Sequence, residues 1–188
     1  MNTLIEIYNS LSSTVSHMAA GAVPLLARLT FAAVLLHYFI ASGLTKLGDG
    51  LFGFLSPSVG AYAQIFPKAM EAVTYDISQL TVFHWAVVTG GTIAEFALPA
   101  LIALGLLTRL AALGMIGFVV VQSLTDLFGH GGIEHAGTLG AWFDKASDSL
   151  ILDQRALWVF LLATLVFKGG GWLSLDRLLT RNQPASAA

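Results

Sequence analysis

Two charges stand inside apolar sequence: Arg28, early in "VPLLARLTFAAVLLHYFIASGL", and Glu95, within "GTIAEFALPALIAL". Ionisable groups in membrane-length apolar runs cost a few kcal/mol each on insertion scales and face a bundle interior. A carboxylate beside a cation can accept a proton or bind the polar headgroup of a lipid-soluble cofactor such as a quinone. Counted from the ends of their helices on the side of the chain termini (the inner side), Arg28 lies about six residues deep and Glu95 about nine. At about 1.5 Å per residue that is a depth difference of roughly 5 Å, which an arginine side chain bridges. The spacing therefore predicts an intramembrane Arg28–Glu95 ion pair. It serves either as a clasp between helices or as a proton or quinone-headgroup site, with Glu95 and Arg28 as the candidate catalytic residues.

Helical phase adds companions. Arg28 and Lys46 are five whole turns apart and share a stripe with Ser42; His84 and Glu95 are about three turns apart and share a face with Gly91. A glycine on that face lets a helix or a flat ligand approach the backbone. Gln122 and Asp126 form an i,i+4 pair near the outer end of their helix. The polar residues thus divide into an inner group of Arg28, Glu95 and Arg109 and an outer group of Lys46, His84, Gln122 and Asp126. Arg28, Glu95, His84, Lys46 and Arg109 are the candidates for holding a cofactor.

The histidines raise two further chemistries. Bis-histidine haem ligation is disfavoured, because His37 lies about 180° from Arg28 around its helix and differs in depth from His84. The stretch "GHGGIEH", residues 129–135, places His130, Glu134 and His135 just past Asp126. It lacks the spacing that puts two ligands on one helical face, and its glycines oppose a regular helix. A solvated acidic loop is the expectation, with a loop metal site from His130, His135 and an acidic residue as the alternative.

The surrounding elements follow from composition. The chain is 56% apolar and 11% charged over 188 residues, whereas soluble domains carry about a quarter charged residues. Runs of about 20 apolar residues are what a bilayer core requires. Spans are expected at about 23–44, 80–104, 106–127 and 153–172, with Asp153 as an N-cap and the glycines at 169–171 as a stop. Spans two and three, joined at Gly105, must form a hairpin. The fold class is an all-α membrane protein: a four-helix bundle over residues 22–180, an amphipathic interfacial helix over 1–21, and a disordered tail at 181–188. The apolar connection from Gly48 to Gln79 reads as two short helices resting in the outer interface.

Four spans put both termini on one side. Lys and Arg tie at four on each side: Arg109, Lys168, Arg177 and Arg181 inside, against Lys46, Lys68, Lys145 and Arg155 outside. Arg28 tips the positive-inside count toward cytoplasmic termini. No cysteine is present, which excludes disulfides and thiolate-bound metals within the chain. The charge of −2 gives no reason to expect nucleic acid. The lipid bilayer is the one certain partner, and a homo-oligomer is left open.

The chain resembles the DoxX family of small bacterial membrane proteins. The resemblance rests on "LLARLTFAAVLLHYFIASGLTKL", on Glu95 in "GTIAEFALPALIALGLLTRLAALG", and on the terminal "GGGWLSLDRLL". It implies a bacterial inner-membrane bundle that serves as the membrane subunit of a redox complex. Such a subunit binds quinone or anchors a soluble or membrane oxidoreductase, with the family's polar positions at Arg28, Lys46, Glu95 and Arg109. The alternative functions are a small transporter or scaffold for an ion or metabolite, with a cavity lined by Glu95, His84 and Asp126, or metal handling at the outer histidines.

Overall fold

The computed structural model describes residues 2–50 and 52–181, and every regular element among them is helical. Four helices are long and apolar enough to cross a bilayer: Thr3–Lys46, Val82–Leu104, Thr108–Gly129 and Leu150–Lys168. The number of spans is the expected four, and the protein is an all-α membrane bundle.

Each boundary has a local cause. Gly105 ends span two at φ 70°, its N–H returning to the Ile102 and Leu101 carbonyls, a left-handed turn that glycine adopts without strain. Span three then starts at Thr108, its free N-terminal N–H groups held by the Asp176 carboxylate. Leu107 N–H donates to Oδ1 at 2.7 Å and Thr108 N–H to Oδ2 at 2.9 Å. Span four differs from expectation. Its cap is Ser149 rather than Asp153, because the helix begins at Leu150 in a wide π turn. Asp153 instead reaches back to accept from the Ser149 N–H and hydroxyl. The glycine stop holds: Gly169, at φ 78°, follows Lys168.

The first helix is the main surprise of the fold. Its amphipathic N-terminal part is present, yet it joins span one without a break, giving 44 residues from Thr3 to Lys46. That is about 66 Å of helix, roughly twice the hydrocarbon thickness. Pro24 lies within it, and a π turn occupies Ala32–Leu36. Of the tail expected at 181–188, Arg181 closes the terminal helix Leu175–Arg181, and the remainder lies outside the described residues.

Phe31, Ile102, Met115, Leu162 and Leu165 are fully buried and fill the inner half of the bundle. Phe39 extends this core outward through edge-to-face packing with Tyr38, Phe118 and Trp158. Trp158 is half-buried in this cluster. Within a bilayer such packing, rather than escape from water, holds helices together. Two short helices, Val59–Ile65 and Pro67–Ala72, occupy the connection between spans one and two as expected. Ala61, Tyr62 and Met70 pack on Val88 and form a cap over the outer end of span two.

Candidate functional site

Arg28 is buried, and it does not meet Glu95. Its guanidinium donates to four backbone carbonyls instead. Nε reaches Ile102 at 2.9 Å, Nη2 reaches Ala103 at 2.6 Å, and Nη1 reaches Gly170 at 2.9 Å and Leu173 at 2.7 Å. The first two are carbonyls of the last turn of span two, and the others belong to the glycine turn after span four. Arg28 is thus a clasp for three chain segments at the inner face. The predicted Arg28–Glu95 pair fails for a geometric reason. Side chains lean toward the N-terminus of their own helix. In antiparallel spans one and two, Arg28 therefore leans inward and Glu95 outward, so the two diverge.

The same lean brings Glu95 to Lys46. Lys46 sits at the outer end of span one and leans inward over Ser42, while Glu95 rises to meet it. Lys46 Nζ lies 3.0 Å from Glu95 Oε1 and 3.0 Å from Oε2. It also donates to the Ser42 hydroxyl at 2.8 Å, and that hydroxyl donates to Glu95 Oε1 at 3.0 Å. Both charged side chains are almost completely buried, at 7% and 3% exposure. Two charges taken out of water must be mutually paired and hydrogen-bonded to persist, and the Ser42 hydroxyl supplies part of that.

This pair stands in the wall of a cavity of about 500 Å³ in the outer half of the bundle. Span one contributes Tyr38, Ser42 and Lys46; span two contributes Gly90, Gly91 and Glu95; span three contributes Gly114, Gly117, Gln122 and Asp126. Gln64 and Ile65 from the short helices and His130 close its outer end. The glycines do not all have the same purpose. A Cβ on Gly114 would press on Leu98 at 3.2 Å, so that glycine allows spans two and three to approach. A Cβ on Gly90 or Gly117 would meet nothing within 4 Å. Those two keep space open. Gly90, Gly117 and Val121 are exposed on the flank of the bundle, so the cavity opens sideways toward lipid.

The DoxX family model matches residues 23–131, more than half of the chain. The chain belongs to the DoxX family. No curated protein and no solved structure matches it. The matched region of this DoxX protein contains every cavity-lining residue named above. The "GGGWLSLDRLL" ending lies beyond it, and here it is structural. Gly170 and Leu173 receive Arg28, and Asp176 caps span three.

The other candidate residues separate from the site. Arg109 is exposed and donates to the Val166 and Phe167 carbonyls, capping the end of span four. His84 caps its own helix: the Thr81 N–H donates to Nδ1 at 3.2 Å, and its ring packs on Phe66. His84 is thereby held away from the cavity that was expected to include it. His37 is exposed on the opposite flank. Arg28, His84 and Arg109 are therefore not part of the cavity, whereas Glu95 and Lys46 are.

Of the outer group, Asp126 pairs with Arg155, which is buried and also donates to Ser123. Arg155, one of the four cations counted on the outer side, is buried rather than in a loop. Asp126 and Arg155 both stand in π turns, at Thr125–Gly129 and Leu150–Arg155, a local geometry frequent at functional sites. His130 and His135 are both exposed, and His130 Nε2 lies 2.9 Å from the Gln64 carbonyl. Among the described residues, no three His, Cys, Asp or Glu side chains are grouped to hold a metal ion.

Proposed function

We propose that this DoxX protein binds a flat, lipid-soluble ligand, a quinone headgroup, in its outer cavity. On this reading it is the membrane subunit of a redox complex in a bacterial inner membrane, with cytoplasmic termini. The observation that carries the reading is the side-opening cavity of about 500 Å³ with the buried Lys46–Glu95 pair in its wall. Ligand sites commonly enclose about 300–1,000 Å³, mostly apolar with a few placed polar groups. The open backbone at Gly90 and Gly117 suits a planar ring, and a lateral mouth suits a ligand that arrives through the bilayer.

A quinone, when bound, supplies two-electron, two-proton redox chemistry. The chain's part is to bind and to manage charge. Lys46, Ser42 and Glu95 are the polar groups of the cavity wall that would meet the headgroup. Lys46, rather than Arg28, is the cation paired with Glu95. Arg28 maintains the frame.

The test is quinone binding to the purified full-length protein, followed by fluorescence quenching. Gly90→Leu and Gly117→Leu should each abolish binding with the fold intact, and Lys46→Gln, which loses the charged N–H donor, should weaken it about tenfold. Unchanged binding in all three would refute the assignment. A transport reading draws on the same polar lining, yet Phe31, Ile102, Met115, Leu162 and Leu165 fill the inner half of the bundle. A solute crossing would require that core to open. Flux of an ion or metabolite into liposomes holding this protein alone would favour transport.

A further inference from the structure

The N-terminal part of the first helix carries an apolar stripe that the bundle leaves uncovered. Leu4, Tyr8, Leu11, Val15 and Met18 recur at alternating intervals of four and three residues and are 57–74% exposed. This is a heptad seam, with Tyr8 and Val15 at a positions and Leu4, Leu11 and Met18 at d positions. A period of 3.5 residues marks a helix that packs along another helix.

The stripe's direction identifies its occupant. At 100° per residue it lies about 150° around the helix from Gly21, Pro24, Ala27, Arg28 and Phe31, the residues that bury against the bundle. It therefore faces away from the protein's own bundle. Followed outward it continues onto Leu26 and Leu29, which are 60% and 56% exposed on the flank of span one. A second copy in the same membrane presents the same stripe, parallel and at the same height. A two-fold axis along the membrane normal then joins the two without bundle collision.

Charge agrees with self-pairing. The positions flanking the seam before the bundle are Ile5, Ile7, Ser12, Thr14 and Ala19, all uncharged, so two copies meet without repulsion. Glu6 and His17 lie on the opposite face. A membrane-surface helix, by contrast, carries Lys and Arg on its polar face, and residues 2–20 contain neither. Lying flat would also require a bend before span one, where the helix is continuous. From Leu4 to Leu29 the seam is about 38 Å long on a helix about 10 Å across, giving roughly 400 Å² per copy. That is below a standard stable interface in solution. Confinement and common orientation in the bilayer raise the effective concentration enough for it to suffice.

We propose that this helix forms a parallel two-stranded coiled coil with a second copy of the chain, projecting from the membrane on the side of the termini. The absence of cysteine allows a direct test on the full chain in native membrane vesicles. Single cysteines at Leu11→Cys and Val15→Cys should yield disulfide-linked dimer on mild oxidation about tenfold more readily than Ser13→Cys or His17→Cys on the far face. Native mass spectrometry of the wild type in lipid nanodiscs should show a dimer. Leu11→Glu with Val15→Glu should convert it to monomer, and Ser13→Glu should not. Two results overturn the proposal: crosslinking without preference for the seam, or monomer throughout with Leu11 and Val15 shielded by lipid.

Discussion

Lys46 and Glu95 form a buried pair whose removal by halves and as a whole should differ. Truncating one partner strands a charge in apolar surroundings, which costs about 3–5 kcal/mol, whereas replacing both by apolar residues can be close to neutral. Lys46→Met should therefore lower thermal stability in detergent substantially, and Lys46→Met with Glu95→Leu should restore most of it. If the double variant were as unstable as the single one, the pair would not be the origin of the effect. Arg28→Lys poses a different question. A lysine keeps the charge, yet it lacks the planar fork that serves four carbonyls from one position, so unfolding should come earlier while cavity binding in the folded protein persists. These three buried charges are legible in the sequence, since Arg28, Lys46 and Glu95 stand out within or at the ends of apolar runs. Their partners are not. Partner choice depends on which way each side chain leans, and a count of depth along the axis leaves that out. Arg155 is concealed for another reason: only the position of Asp126 on span three shows that it is buried.

At the scale of elements, the inner face is a set of caps that share residues. Gly105 is required twice, once for its φ of 70° and once because a Cβ there would lie 2.6 Å from Arg28 Cζ. Gly105→Ala should destabilise by about 1–3 kcal/mol, measured by chemical unfolding, whereas Gly90→Ala, mid-helix with open space at its Cβ, should raise stability by about 0.5–1 kcal/mol. Asp176 gives this region a pH dependence. Burial pushes its carboxyl up, but hydrogen bonds from Thr108 and Leu107 and the nearby Arg28 charge outweigh that and hold it below the usual carboxylate range. A group with a depressed folded pKa contributes its stability above the unfolded value of about 3.9 and loses it as pH falls through the folded value. Wild type should therefore lose stability as pH is lowered below about 4, and Asp176→Asn should be less stable at neutral pH and lack that acid-dependent step. The hairpin at Gly105, the glycine stop and the paired short helices were all readable from residue type. The first helix was not, because its composition changes at residue 22 while its backbone does not.

For the whole molecule, the division between a packed inner half and an open outer half carries the functional argument. Inner residues are committed to clasping and filling, which leaves the Lys46–Glu95 pair and the glycine-lined space as the place where a ligand can be held. Composition announced the membrane bundle, but the cavity emerges only when spans one, two and three are placed side by side, since Gly90 and Gly117 read alone resemble ordinary packing glycines. What occupies that space decides the function. Native mass spectrometry of the gently purified protein should find a quinone on the wild type and none on Gly90→Leu or Gly117→Leu, with the helical content of all three the same. Wild type without any quinone even after incubation with it, or full retention in both cavity-filling variants, would contradict the account.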